Sequence, residues 1–194
     1  MKIPSRILLL IGLLVLSSCT STGGRLVSAG TTNKVFDMQI ETSLDWSKQR
    51  FGRYEFWTID GSNLNELSIF SKVKPRENVF LGQRESKRRP DGAWYKPGLR
   101  PDELQDLIID GATRYGWVNA AASNLRPAKV SGTNGIRFDL KMTHPTGLNY
   151  AGTVLALERD DRLTILVWTA PVEHYYDRDI AAVNKLMDSV RFIK

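Results

Sequence analysis

The chain has 194 residues, 42% of them apolar and 25% charged, with a formal charge of +6. That is enough chain for one domain with a real core, and its mildly basic balance suits an anionic surface. No helix-turn-helix, zinc-finger or RRM signature accompanies the charge, so nucleic acid is not indicated, and the single Cys excludes an intramolecular disulfide.

The chain opens MKIPSRILLLIGLLVLSSC. Lys2 and Arg6 give a positive start, Ile7 to Leu16 an apolar run, and Ser17 and Ser18 two small residues, the three-part layout of a secretory signal. The run of ten is well short of the roughly 20 apolar residues of a bilayer-spanning helix, so a permanent transmembrane anchor is rejected here. The order Leu16-Ser17-Ser18-Cys19 resembles a bacterial lipobox, whose Cys is acylated and becomes the first residue after cleavage. The resemblance implies a signal peptide over 1–18 and a lipid on Cys19. It also implies two or more acyl chains, as stable anchoring needs. An Asp after the Cys would favour the inner membrane. Thr20 stands there instead and resembles an outer-membrane address, so the implied location is the cell envelope, facing the periplasm. Loss of Lys2 and Arg6 with the signal would lower the charge from +6 to +4. Residues 20–33 (TSTGGRLVSAGTTN) lack strand or helix periodicity and read as a flexible tether reaching about 20 Å, so one folded domain is expected over 34–194.

Phe36, Met38 and Ile40 alternate with polar residues and predict a half-buried strand. After a polar stretch, Arg53 to Ile59 (RYEFWTI) predicts a second strand, and Asp60-Gly61 a turn. Glu66 to Val73 then predicts the returning strand, with Leu67, Ile69, Ser71 and Val73 on one side. Leu81 to Arg100 is broken by Pro90, Gly92, Pro97 and Gly98 and reads as a long mobile loop. Pro101 opens a helix at the favoured first position, with Asp102 and Glu103 in its first turn. Leu104, Leu107, Ile108, Gly111 and Tyr115 share one face, and Gly116 ends it. Residues 121–131 predict a strand that Pro127 confines to an edge or bulge. Ile136, Phe138, Leu140 and Met142 alternate in the clearest strand of the chain; Leu148 to Glu158 and Arg162 to Thr169 predict two more around Arg159-Asp160-Asp161. Ile180, Val183, Leu186, Met187 and Val190 mark a C-terminal helix.

Short turns between the late strands require antiparallel pairing. Segregated strands and helices predict an α+β fold, helices packed on an antiparallel sheet. From Val130 to Phe192 the sequence resembles the PsbP/Mog1-like fold and its bacterial lipoprotein relatives of the DcrB kind. The residues that carry this are Val130-Ser131-Gly132, Gly135-Ile136-Arg137-Phe138, Gly152, Ala170-Pro171, Tyr175-Tyr176 and Ser189-Val190-Arg191-Phe192. These are packing and turn motifs. They imply a binding or assembly factor without catalysis, and they transfer no partner-binding residue.

For chemistry, His144 precedes Pro145 in a turn, and His174 stands with Tyr175, Tyr176 and Asp177 at a helix start. Either His could do acid–base work, but a surface turn and an aromatic-packed helix start explain the same residues. No HExxH, Cys/His cluster, GxSxG or Walker A loop is present, so no catalytic residue, metal or cofactor is assigned. Asp160-Asp161 reads as a solvated turn pair, and Trp46, Trp57, Trp117 and Trp168 as core or strand-packing residues. The candidate partner-binding set is Arg84, Lys87, Arg88, Arg89, Trp94, Tyr95 and Lys96. Arg forks suit phosphate or carboxylate and aromatic faces suit sugars or acyl boundaries, so an anionic envelope component or envelope protein is the expected partner, beside the membrane itself. The function expected is a lipid-anchored, non-catalytic binding or assembly module. Its alternatives are an envelope hydrolase with an unrecognised site and a carrier or chaperone holding an apolar ligand between helix and sheet.

Overall fold

The computed structural model describes residues 24–193, so the signal-like stretch and Cys19 lie outside the described residues. Six strands lead: β1 (Arg25–Val27), β2 (Thr31–Val35), β3 (Met38–Thr42), β4 (Trp46–Phe51), β5 (Tyr54–Thr58) and β6 (Glu66–Val73). Then come α1 (Pro101–Arg114), β7 (Val118–Val130), β8 (Thr133–Thr143), β9 (Asn149–Arg159), β10 (Arg162–Pro171), α2 (Tyr175–Asp188) and β11 (Arg191–Phe192). They form an antiparallel eight-stranded sheet, β1-β4-β5-β6-β10-β9-β8-β7, and a small sheet, β11-β3-β2. The expected α+β architecture is the observed one.

The large sheet is covered on both sides, and strand alternation separates the two faces. On one, Trp46, Trp57, Leu67, Ile69, Leu155, Leu157, Leu166 and Trp168 pack against Val183, Leu186 and Met187 of α2 and against Val35, Met38 and Ile40 of the small sheet. On the other, Ile136, Phe138, Leu140, Met142, Val154, Ala156 and Ile165 pack against Leu104 and Ile108 of α1 and against Val79, Ala93 and Tyr95 of the segment before it. We call these the α2 face and the α1 face. Pro127 lies in β7, an edge strand with two register shifts, as a residue without a backbone donor demands.

Several sequence-based expectations change. The tether does not reach Asn33: Arg25–Val27 pairs with β4 and Thr31–Val35 with β3. Each of these strands buries a single apolar residue, Val27 or Val35, so no periodicity betrayed them. The polar stretch before Arg53 contains β4, which is anchored by Trp46. Phe36 sits at positive φ in the β2–β3 turn, so the predicted strand begins at Met38. Val73 does not share a face with Leu67 and Ile69. Lys72 has a φ of 54° and the β6–β10 register shifts at Leu163/Ile165, a bulge that turns Val73 to the α1 face. Helix α1 has the predicted start, but Tyr115 is its C-cap and lies 78% exposed. In α2, Asp179 joins the buried residues because Arg178 and Asn65 bond its carboxylate.

Candidate functional site

Helix α1 docks on β7 and β8 and leaves the β4–β5–β6 part of its face without a helix above it. There a groove of about 900 Å³ opens between the sheet and the C-terminal half of α1. Its floor is the outward-alternating set of the three strands: Gln49 and Phe51, Tyr54 and Phe56, Glu66, Ser68 and Phe70. Its wall is Ile108, Ile109, Ala112, Tyr115 and Trp117, with Phe80 and Leu81 of the preceding segment also lining it. The rings are organised. Tyr54 lies near-parallel to Phe51, Phe56 and Phe70, at interplanar angles of 21°, 14° and 19° and a centroid distance of 4.9 Å to Phe70. Phe70 meets Phe80 at 5.0 Å, and Trp117 meets Tyr150 edge-on at 4.9 Å.

One end of the floor is polar. Across it run Glu66 and Thr169, with Asn63 and Tyr150 beside them. Ser68 Oγ donates to Glu66 Oε1 at 2.7 Å, and the Tyr54 hydroxyl lies 3.1 Å from Ser68 Oγ and 3.4 Å from Glu66 Oε1. The Tyr150 hydroxyl donates to the Asn63 carbonyl at 2.5 Å and ties the β5–β6 loop to β9. Burial, and then the Glu66 charge, push both phenols above the ordinary tyrosine range. Both groups therefore stay neutral donors at physiological pH. Arg53 also lines the groove, but its guanidinium is committed to the Glu77 carboxylate and the Lys72 carbonyl. Burial opposes the charge of Glu77; the Arg53 bonds and the Lys74 N–H outweigh it and hold the carboxyl below its ordinary value.

The basic segment divides. Arg84, Lys87, Arg88, Arg89 and Lys96 are exposed, as a partner-binding surface requires. Trp94 is 7% and Tyr95 0% exposed, so neither ring is available to a partner, contrary to the expectation. The segment is also not a free loop. Arg76–Val79 and Ala93–Tyr95 bond back to back (Arg76 N–H to the Tyr95 carbonyl, 2.8 Å; Val79 N–H to the Ala93 carbonyl, 3.0 Å), which lays the aromatic end on the sheet. Trp94 Nε1 donates to the Pro90 carbonyl at 3.0 Å. Ser86 and Arg89 close an exposed turn through reciprocal backbone bonds.

The histidines do not converge on one centre. His174 is exposed at the α2 N-cap with φ 72° and its ring on Tyr175. His144 bonds Thr146 within its own turn at 2.8 Å and packs beside Trp117. Asp160 and Asp161 are exposed turn residues at positive φ. Of the four tryptophans expected to pack, Trp46, Trp57 and Trp168 are buried, whereas Trp117 is part-exposed and lines the groove. Among the described residues no group of three or more His, Cys, Asp or Glu side chains is arranged to hold a metal ion.

The groove itself was missed in the sequence. The signal was present in Arg53 to Ile59: Tyr54 and Phe56 alternate with Glu55 and Trp57, so this strand carries rings on both faces. A strand apolar on both sides needs cover on both, and this one has a helix on neither half of its α1 face.

No protein-family model matches the sequence, and no curated protein matches it. Solved structures do match in shape. The fold is similar to that of the cyanobacterial PsbP protein CyanoP from Synechocystis sp. PCC 6803, with a TM-score of 0.58 and 9% identity over 92% of this chain and 99% of that one. It is also similar to a point mutant of Mog1, with a TM-score of 0.54 and 6% identity over 86% of this chain and 97% of that one. The architecture is thus PsbP/Mog1-like, as the resemblance implied. At such identities the likeness concerns the fold alone.

Proposed function

We propose that this chain is a non-catalytic binding module of the bacterial envelope, anchored through a lipid on Cys19, and that the groove on the α1 face holds its ligand. The observation that carries the reading is the uncovered, ring-lined part of a sheet face. A sheet normally buries its apolar face, and an apolar surface left open beside polar anchoring groups is the usual form of a small-molecule site. The polar groups support binding rather than turnover. Ser68 and Tyr54 are engaged with Glu66 and with each other, and among the described residues no histidine bonds any of the three.

The anchor and the groove suit each other. Gly24 abuts Ser47 and Lys48 of β4, and Gln49 and Phe51 of that strand line the groove. From Cys19 to Gly24 the extended chain spans at most about 18 Å, so a lipid on Cys19, at an outer-membrane address, would hold the groove near the bilayer surface. The exposed Arg84, Lys87, Arg88 and Arg89 suit anionic headgroups or an acidic envelope protein.

Two experiments test this. Cys19→Ala should move the protein from the membrane to the soluble fraction; unchanged retention sinks the anchor. Protein purified from envelopes should carry an extractable small amphiphile detectable by mass spectrometry, and Val167→Trp, which fills the groove, should lose it. Equal recovery from both proteins rejects the groove as the site.

A further inference from the structure

The groove holds a carboxylate without a counter-ion. Elsewhere among the described residues, all but one of the buried and part-buried acids face a base: Glu55 has Lys48 at 3.1 Å, Asp179 has Arg178 at 2.7 Å, Asp37 has Lys72 at 3.3 Å and Asp139 has Arg126 at 3.2 Å. Glu66 has no cationic group within 4.0 Å among them, and both hydrogen bonds it accepts fall on Oε1. Glu158 is the other part-buried acid without an ion pair, and the Gly98 N–H bonds its two oxygens at 3.0 and 3.3 Å. Arg53, the one basic side chain on the groove, is spent on Glu77. The groove therefore carries one uncompensated negative charge, set among rings.

Aromatic faces attract cations through their quadrupoles, and a carboxylate in a partly desolvated groove adds a charge-assisted partner. An anionic head would meet Glu66 with repulsion, and a neutral head would leave its charge uncompensated. From the groove reading above, on which this rests, we infer that the ligand is a cationic amphiphile. Its ammonium or guanidinium head lies against the Glu66 carboxylate between Tyr54 and Tyr150, and its apolar body lies along Phe70 and Phe80.

The test compares three heads on one chain length: dodecyltrimethylammonium, dodecyl maltoside and dodecyl sulfate. Each is titrated below its micellar concentration into the chain carrying Cys19→Ala, so that no covalent lipid competes, with calorimetry as the readout. The cationic probe should bind at least tenfold tighter than the maltoside, and the sulfate weakest. Non-specific adsorption would give the opposite order, because the protein as a whole is basic, at +6 with the signal-like stretch and +4 without it. Glu66→Gln should abolish the preference while leaving maltoside affinity within about twofold. Ser68→Ala, which removes a hydrogen bond but not the charge, should retain the preference and guards against a misfolded Glu66→Gln. Equal binding of all three probes, or a preference that survives Glu66→Gln, overturns the cationic assignment and leaves the groove standing. Binding of all three that is unchanged by Val167→Trp, or no binding of any, overturns the groove as well.

Discussion

Over β8, β9 and β10 the α1 face carries Ile136, Phe138, Leu140, Val154, Ala156 and Ile165, each buried under α1 and the 74–100 segment. Over β4, β5 and β6 the same face carries Phe51, Tyr54, Phe56 and Phe70, all at least part-exposed, and Phe51 is 59% exposed. The first set is mostly aliphatic and the second aromatic. Aliphatic side chains interdigitate into a closed core. Rings propped against one another, as Tyr54 is on Phe70, form a shelf that can stay open and still offer large contact area at low rotamer cost. The same face of one sheet thus carries a closed core at one end and an open aromatic shelf at the other, the surface proposed to take the ligand.

The sharpest break of this comparison is a pair of truncations. Phe138→Ala should cost about 3–5 kcal/mol in urea unfolding, since it empties a closed core, while Phe51→Ala should cost about 0.5 kcal/mol or less. Equal losses would mean that both halves are structural. A smaller effect is expected at the seam. Gly152 pairs with groove-lining Thr169, and a Cβ there would lie 2.3 Å from the Trp168 carbonyl oxygen. Gly152→Ala must part β9 from β10, at roughly 1–3 kcal/mol; a stability equal to wild type would show that the strands can shift freely.

A milder effect concerns the loop at the polar end of the groove. Asp60 bonds Arg178 and Asn65, and the Arg178 bond, opposed by burial, holds its carboxyl below the ordinary 3.8. A depressed folded-state value means that this ion pair stabilises the protein above about pH 3.8 and that the contribution fades as pH falls through the folded-state value. Asp60→Asn should therefore lower the urea midpoint at pH 7 and converge on wild type in acid; a constant gap at every pH would refute the assignment. The smallest effect on stability belongs to the exposed turn. Arg88→Glu with Arg89→Glu should leave the urea midpoint within error while reducing in-cell crosslinking to an anionic partner, and an unchanged crosslinking yield would remove the turn from the binding surface.

The alternation of Ile136, Phe138, Leu140 and Met142, the apolar stripe ending at Val190 and the Pro101 start with its acidic first turn were all legible, because each is a local periodicity or a cap. β1 and β2 were not, since one inward Val in each leaves no pattern; β1 takes its hydrogen bonds from β4, some twenty residues on, and β2 pairs with β3 across a tight turn that Phe36 at positive φ makes without a Gly. Trp94 and Tyr95 sit among Arg, Lys, Pro and Gly and read as exposed; backbone pairing with residues 76–79 drew them inside. The rings of Tyr54 and Phe56 were visible as letters, but not as a groove.

The sequence by itself therefore determined the α+β class, the late antiparallel meander, both helices and most of their buried stripes. Periodicity records which side of each element is apolar. It does not record which apolar side receives a cover. That was decided in three dimensions by the docking of α1 on β7 and β8, by the bulge at Lys72 that turns Val73 across the sheet, and by the pairing of Arg53 with Glu77. Together these long-range arrangements leave the rings of β4–β6 open and Glu66 without a counter-ion beside them.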